Sequence, residues 1–133
     1  MSALVADTHA VVWFLFGLSS LSPTARSALE LAIRDGDPIY VASISLVEIA
    51  YLIEKGRLPV ATFNRLDHAL DDPGGGLTIR SLDQDVARSL RSVRRDLIPD
   101  MPDRIIAATA MHLGLPLVTS DRKIQASGIL TIW

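Results

Sequence analysis

The chain has 133 residues, of which 49% are hydrophobic and 21% are charged, a composition typical of one folded domain and not of a disordered chain. It contains no cysteine, which excludes disulfides, a thiolate nucleophile and cysteine-ligated zinc. The formal net charge of -2 argues against a strongly basic nucleic-acid binder, although it does not exclude a polyanionic substrate.

Short strand-like apolar runs alternate with longer helical runs along the chain. This alternation predicts a single α/β domain, residues 1–133, in which helices cover both faces of a central parallel sheet. In the first half we predict a strand over residues 4–6, a helix over 8–16, a helix over 22–36, a strand over 39–41, and helices over 45–55 and 60–70. Pro23 at the start of the second helix and Gly36 at its end are the usual start and stop signals.

The second half opens with the clearest loop of the chain, DDPGGG at residues 71–76. After this loop we predict a strand over 77–79, helices over 83–95 and 103–113, a strand over 117–119, a short helix or turn over 123–126 and a strand over 129–132. The helix over 83–95 rests on four apolar residues at helical spacing, Val86, Leu90, Val93 and Leu97. Its opposite side would carry a stripe of arginines, Arg88, Arg91 and Arg95.

The chain lacks the features of a membrane or secreted protein. Its longest uncharged apolar stretch, residues 10–18, is far shorter than the roughly 20 residues that span a bilayer. Asp7 interrupts the N-terminal apolar run, and no basic residue precedes that run, which argues against a secretory signal. We therefore expect a cytoplasmic protein without a membrane segment.

Four acidic residues lie where a predicted strand ends or a predicted helix begins: Asp7, Glu48, Asp103 and Asp121. The carboxyl ends of parallel strands share one edge of a sheet, and ligands bind at that edge. Four carboxylates crowded there would repel one another and raise one another's pKa unless cations neutralised them. The pattern therefore predicts a divalent cation site.

Each of these acids also has a purely structural alternative. Ser45 and Glu48 have the spacing of a helix capping box. Asp103 lies in the first turn of a predicted helix, where it could complement the helix dipole behind Asp100 as the N-cap. The remaining two acids could cap the helices that follow them, Asp7 and Asp121. One shared site explains all four positions together more simply than four separate caps.

The ligand chemistry favours magnesium or manganese. Hard divalent cations prefer carboxylate and water oxygens, and Mg²⁺ in particular is held by a few carboxylates together with substrate phosphate. A zinc site would need clustered histidines, but the three histidines lie on three separate predicted helices, His9, His68 and His112. The glycines at 74–76 precede a strand and not a helix, so a phosphate-binding loop has little support.

Four short blocks carry a resemblance to a known family. They are LVADTH at residues 4–9, ISLVEI at 44–49, DRIIAATA at 103–110 and LVTSD at 117–121. Each block is weak alone, but their order and spacing together are specific. The chain resembles the PIN-domain ribonucleases of the VapC toxin type from about residue 4 to Trp133. It departs from many relatives at Pro102, where they carry an aromatic residue.

This resemblance implies a fold, an activity and partners. The fold is a three-layer α/β/α sandwich with a central parallel sheet, and the activity is metal-dependent endonucleolytic cleavage of RNA. The implied Mg²⁺ or Mn²⁺ ligands are Asp7, Glu48, Asp103 and Asp121, while Thr119 would fix Asp121 or a water at the metal. Inhibition by a small VapB-type antitoxin is also implied, and Arg104 would contact phosphate or pair with a neighbouring carboxylate.

Two segments carry more apolar residues than one small sheet is expected to cover, residues 11–16 and 45–53. Exposed apolar surface of this kind marks an interface. We therefore expect a homodimer, a hydrophobic groove for an antitoxin segment and a higher assembly with the antitoxin. The arginine stripe would attract RNA electrostatically, unless it is an ordinary solvated helix face.

Two other functions compete with the nuclease interpretation. A doubly wound phosphohydrolase also places an aspartate after its first strand. The haloacid-dehalogenase phosphatases need a second aspartate two residues later, where this chain has His9, and a receiver domain needs a paired acid where this chain has Ala6. The second rival is a catalytically inactive binding module of the same fold, which the presence of all four acids disfavours.

Overall fold

Five short parallel strands form the centre of the fold in the computed structural model, which describes residues 2–133. They are β1 (Leu4–Ala6), β2 (Ile39–Ala42), β3 (Leu77–Arg80), β4 (Leu117–Val118) and β5 (Thr131–Ile132), arranged in the order β3-β2-β1-β4-β5. The central strands are apolar along their whole length, as in β2 with the sequence IYVA, because both faces of a parallel sheet are covered.

Helices cover the sheet on two sides. They are α1 (Thr8–Leu15), α2 (Pro23–Asp35), α3 (Ser43–Glu54), α4 (Ala61–Asp71), α5 (Gln84–Leu90), α6 (Met101–Leu113) and α7 (Arg122–Gln125). Successive residues of β1 point to opposite faces, so Leu4 and Ala6 join the core formed with α1 to α4, whereas Val5 joins the core formed with α5 to α7. The predicted three-layer α/β/α sandwich with a central parallel sheet is confirmed.

Local signals determined most of the element ends. Ser22 caps α2 by accepting a hydrogen bond from the Ala25 N–H at 3.1 Å, and Pro23 occupies the first helical position as expected. Gly114 ends α6 with a φ of 65°, the left-handed conformation that glycine adopts without steric cost. Two helices begin two residues earlier than predicted, α3 at Ser43 and α6 at Met101.

The helix predicted over residues 83–95 is wrong in its C-terminal half, because α5 ends at Leu90. The chain continues as tight turns, in which the N–H groups of Ser92 and Val93 donate to carbonyls three residues earlier. Val93 is buried in the core as the helical spacing predicted, but Leu97 is 36% exposed and Ile98 is buried in its place. The apolar spacing that suggested a longer helix is satisfied by turns.

The two apolar segments differ in how much of their surface the fold buries. In the first segment, residues 11–16, Val11 and Val12 are buried, and only Phe16 at its end is strongly exposed. The second segment keeps part of its expected surface, since α3 buries Ile49 while Val47 and Tyr51 are 61% and 53% exposed. Among residues 2–133, no helix is both long and apolar enough to cross a membrane.

The parallel arrangement determines where the predicted site lies. Asp7 directly follows β1, Thr119 directly follows β4, and α3 begins directly after β2. These three strands are neighbours in the sheet, so their carboxyl ends lie side by side. Residues distant in sequence therefore converge at this edge.

Candidate metal centre

Asp7 is a buried carboxylate at the centre of this edge. Its Oδ1 accepts a hydrogen bond from the Ala10 N–H at 2.8 Å, so Asp7 is the N-cap of α1. The nearby Thr119 hydroxyl favours the ionised form of the same side chain and so lowers its pKa. Asp7 therefore has the capping role that was considered as an alternative, and it also lines the pocket described below.

Glu48 reaches the edge from the second turn of α3, where a threonine of α1 holds it. Thr8 Oγ1 lies 2.6 Å from Glu48 Oε1 and 2.8 Å from Ser45 Oγ. An ionised carboxylate only accepts, so the single hydroxyl proton of Thr8 goes to Glu48 and the Ser45 hydroxyl donates to Thr8. The capping-box alternative for Glu48 is therefore wrong, because α3 begins at Ser43 and Ala42 is its N-cap.

The first turn of α6 contributes two acids. Asp100 is the N-cap, and its Oδ2 accepts a hydrogen bond from the Asp103 N–H at 3.1 Å. Pro102 occupies an early helical position where its missing N–H costs nothing, so the α6 N-terminus forms normally at this departure from the family pattern. The half-buried Asp103 lies one turn inside the helix and also lines the pocket.

Asp121 and Thr119 complete the edge after β4. Asp121 Oδ1 accepts from the N–H groups of Lys123 and Ile124 at 2.8 and 3.1 Å, which makes Asp121 the N-cap of α7. The Asp121 N–H donates to Thr119 Oγ1 at 3.0 Å. Thr119 is fully buried, and its hydroxyl lies close enough to Asp7 to lower the pKa of that carboxyl.

The structure brings all four predicted acids into one open pocket of about 420 Å³. Its lining comprises Asp7, His9, Glu48, Leu52, Arg57, Leu58, Asp100, Asp103, Ser120 and Asp121. Within it, single carboxylate oxygens of Glu48, Asp100 and Asp103 all lie within 4.8 Å of one another. This set of hard oxygen donors fits a divalent cation such as Mg²⁺ or Mn²⁺.

Among the pocket residues that were not identified as site residues from the sequence, two are charged, Asp100 and Arg57. Asp100 was considered only as the N-cap of α6, although its spacing of three residues from Asp103 places both acids on one helix turn. Arg57 belongs to the loop after α3 and carries no recognisable motif. The predicted four acids share the pocket, but the closest oxygen set includes Asp100 and omits Asp7 and Asp121.

The pKa values of two pocket carboxylates are raised above their usual range. Burial, followed by the negative charges of the four neighbouring acids, raises the pKa of Asp103 to about 7. Burial also raises the pKa of Asp7, and the nearby Thr119 hydroxyl and the hydrogen bond from the Ala10 N–H oppose this rise. The pocket therefore favours a bound cation or proton over uncompensated negative charge.

The arginines near this edge differ from their expected arrangement. Because α5 ends at Leu90, the residues expected to form a helical stripe do not share one helix face. Arg88 pairs with Asp85 of its own helix at 3.0 Å. Arg104 neither pairs with a carboxylate nor lies in the pocket; its guanidinium donates to the carbonyls of Val93 and Leu90 at 3.0 and 3.4 Å.

Comparisons with known proteins give consistent results. A family model described as the PIN domain matches residues 4–128. Ribonuclease VapC22 from Mycobacterium tuberculosis (strain ATCC 25618 / H37Rv) is 29% identical over 126 residues, which are 95% of this chain and 92% of that protein.

Two solved structures share the fold. The first is a crystal structure of VapBC2 from Rickettsia felis bound to a DNA fragment from their promoter, with a TM-score of 0.70, 20% identity and coverage of 97% of this chain and 96% of that chain. The second is a toxin-antitoxin complex from Klebsiella pneumoniae, with a TM-score of 0.66, 24% identity and coverage of 98% and 96%. At these identities the likeness concerns the fold.

Proposed function

This chain belongs to the PIN domain family, and from that premise we propose that it is a metal-dependent endoribonuclease, the toxin of a toxin–antitoxin pair. The name of the M. tuberculosis relative supports ribonuclease activity, and the K. pneumoniae neighbour supports an antitoxin partner. In this proposal residues 1–133 act as a single cytoplasmic domain on RNA. A VapB-type antitoxin restrains it, and the toxin forms a homodimer within the larger complex.

One observation carries the proposal: oxygens of Glu48, Asp100 and Asp103 lie within 4.8 Å of one another at the carboxyl edge of the sheet. Asp7 and Asp121 line the same pocket and add negative charge. Such a cluster is unfavourable unless positive charge offsets it. Mg²⁺ or Mn²⁺ is the cation that this oxygen set would hold, with Glu48, Asp103 and Asp7 or Asp121 among its ligands.

Each residue has a defined task in phosphodiester hydrolysis. A divalent cation, when bound, supplies positive charge that offsets the charge developing on the phosphate oxygens. Asp103, Asp100 and Glu48 would hold the cation, the first two from one end of α6 and the third from α3. Glu48, fixed by Thr8, would also accept a proton from the attacking water. Thr119 accepts a hydrogen bond from the Asp121 N–H, so it would act as a positioning residue.

The experiment that tests this function measures cleavage of RNA by the purified protein with Mg²⁺ or Mn²⁺. Asp103→Asn should reduce the rate by more than about a hundredfold, since even residues that only support metal ligands cost roughly 10- to 100-fold when replaced. Asp83→Asn is the matched control: Asp83 is the exposed N-cap of α5, paired with Arg80 and outside the pocket, so cleavage should persist.

Cleavage by Asp103→Asn at the wild-type rate, with equal folding by circular dichroism, would contradict the site assignment. Undiminished cleavage in excess chelator would contradict metal dependence. A wild-type protein that binds RNA without cleaving it under any metal would instead support the inactive binding module.

A further inference from the structure

The acidic pocket is one of two cavities that meet at the same carboxylates. A second cavity of about 290 Å³ adjoins it, lined by Ile98, Pro99, Asp100, Asp103, Asp121, Arg122 and Lys123. Three residues belong to both cavities: Asp100, Asp103 and Asp121. These three carboxylates, termed the acidic ridge below, therefore separate two hollows of the same surface.

Basic side chains lie in both hollows. Arg57 lines the larger one, and Arg122 and Lys123 line the smaller one. All three are exposed, and none of them forms an ion pair within residues 2–133. Arg88, from the stripe expected to attract RNA, is instead paired with Asp85, and the nearby Arg94 is paired with Asp96. The unpaired positive charge near the site thus flanks the acidic ridge.

Both hollows also offer apolar surface beside the cations. Leu52 and Leu58 line the larger hollow, and Pro99 lines the smaller one. A cation beside an apolar wall suits a nucleotide, because the phosphate requires positive charge while the sugar and base bury apolar area. The volumes are comparable to the lower end of small-ligand sites, roughly 300–1,000 Å³.

We propose that a single RNA strand crosses the acidic ridge, with the scissile phosphate above the carboxylates and the neighbouring phosphates bound by Arg57 on one side and by Arg122 and Lys123 on the other. This inference rests on the proposed nuclease function and names the residues that would hold the strand on both sides of the cut. The ridge repels phosphate on its own, so contacts on both sides are needed to hold the backbone across it.

The first test measures binding and cleavage of a labelled single-stranded oligoribonucleotide containing one mapped cleavage site. Arg57→Ala should lower kcat/KM about fivefold, the limit for an exposed ion pair, and Arg122→Ala/Lys123→Ala should lower it further. The slope of log Kd against log salt, measured in the Asp103→Asn background, should fall by about 0.7 for each side chain removed.

Controls with equal charge change separate local contacts from net charge. Arg34→Ala matches the single variant, and Arg34→Ala/Arg65→Ala matches the double variant. Both control arginines are exposed and lie outside the two hollows. The controls should leave kcat/KM within about twofold of wild type, because distant exposed charges are screened by salt.

The second test shortens the oligoribonucleotide from one end at a time. Arg57→Ala should lose its effect on kcat/KM when the strand is shortened on one side of the cut, and the double variant should lose its effect when it is shortened on the other side. Loss of additivity of this kind identifies which phosphate each side chain contacts.

Three results would overturn the strand path while leaving the nuclease intact: variants no weaker than their controls, both variants responding to truncation of the same end, or intact RNA cleavage with lost antitoxin binding. The last result would assign the basic flanks to the protein partner. A wild-type protein that cleaves no RNA, judged against Asp103→Asn, overturns the proposed function and this inference together.

Discussion

Two features of Asp103 destabilise its ionised form in the metal-free protein. It is half-buried at the start of α6, and four other acids surround it. Both effects disfavour its ionised form and raise its pKa from 3.8 to about 7. The residue that is most useful as a cation ligand is therefore a source of instability when no cation is bound.

The first prediction concerns the stability of the metal-free protein as a function of pH. Between pH values of about 4 and 7 the folded protein retains a proton on Asp103 that the unfolded chain releases. The free energy of unfolding should therefore fall as pH rises through this window and level off above it. Thermal unfolding in chelator, followed from about pH 5 to pH 8, measures this dependence.

Asp103→Asn should flatten this profile and raise the melting temperature of the metal-free protein near pH 8, because the amide carries no charge to repel. Asp83→Asn should not, since a hydrogen bond from the Val86 N–H and the partner Arg80 lower the pKa of Asp83 instead. Added Mg²⁺ should stabilise the wild type most at high pH, where protons no longer compete for the carboxylate. A wild-type profile that rises with pH across the window would contradict this account.

At the scale of elements, one hydroxyl connects two helices through the site. Thr8, the first residue of α1, donates to Glu48 of α3 and accepts from Ser45 of the same helix. The residues joined by the shorter bond are 40 positions apart in the chain. The side-chain position of Glu48 therefore depends on how α1 and α3 pack.

The second prediction tests this connection with Thr8→Val, which keeps the shape of the side chain and removes the hydroxyl. A hydrogen bond to a charged group contributes about 1.5–3 kcal/mol, so the free energy of unfolding should fall by an amount of that order. Metal affinity, measured by calorimetry with Mn²⁺, should fall roughly 10- to 100-fold because Glu48 loses its support. Thr8→Ser should restore both quantities.

Thr62 provides the matched control for this change. It is also a buried threonine, but its hydroxyl has no hydrogen-bond partner within residues 2–133. Thr62→Val should therefore cost no stability and leave metal affinity unchanged, since burying an unpaired hydroxyl is unfavourable in the first place. Equal losses in both variants would show that the threonines matter for packing alone.

At the scale of the whole molecule, part of the apolar surface remains uncovered. Val47 and Tyr51 lie one turn apart on α3, and Val60 in the loop before α4 is 80% exposed. Residues four apart share one helix face, so Val47 and Tyr51 form a continuous apolar strip. This strip is the surface that we assign to the partner chains of the proposed complex.

The third prediction is that Val47→Asp/Tyr51→Asp weakens the complex with the antitoxin encoded beside the toxin gene. Tyrosine is enriched among residues that dominate interfaces, and its loss commonly costs more than 1 kcal/mol, so affinity should fall roughly tenfold or more. Co-purification and light scattering measure the assembly. Leu130→Asp is the control, because Leu130 is 69% exposed next to β5 and away from α3. Unchanged assembly of the double variant would show that the partner binds elsewhere.

The sequence by itself determined the features that depend on neighbours in the chain. The strand Leu4–Ala6 has its predicted bounds, and the second helix begins with Pro23 and ends at Gly36, the predicted start and stop signals. Apolar periodicity, caps and glycine stops act within one or two helical turns. They can therefore be recognised in the sequence without any knowledge of the fold. The order of parallel strands then placed the four acids at one edge.

Only the tertiary structure decided the features that depend on contacts between distant segments. After the early end of α5 the core takes up Ile98 and not Leu97, and the support of Glu48 comes from Thr8. The participation of Asp100 likewise required the packing of α6 beside α3. Local signals cannot specify such pairs, because a side chain meets its partner only after the sheet register and helix packing have been set.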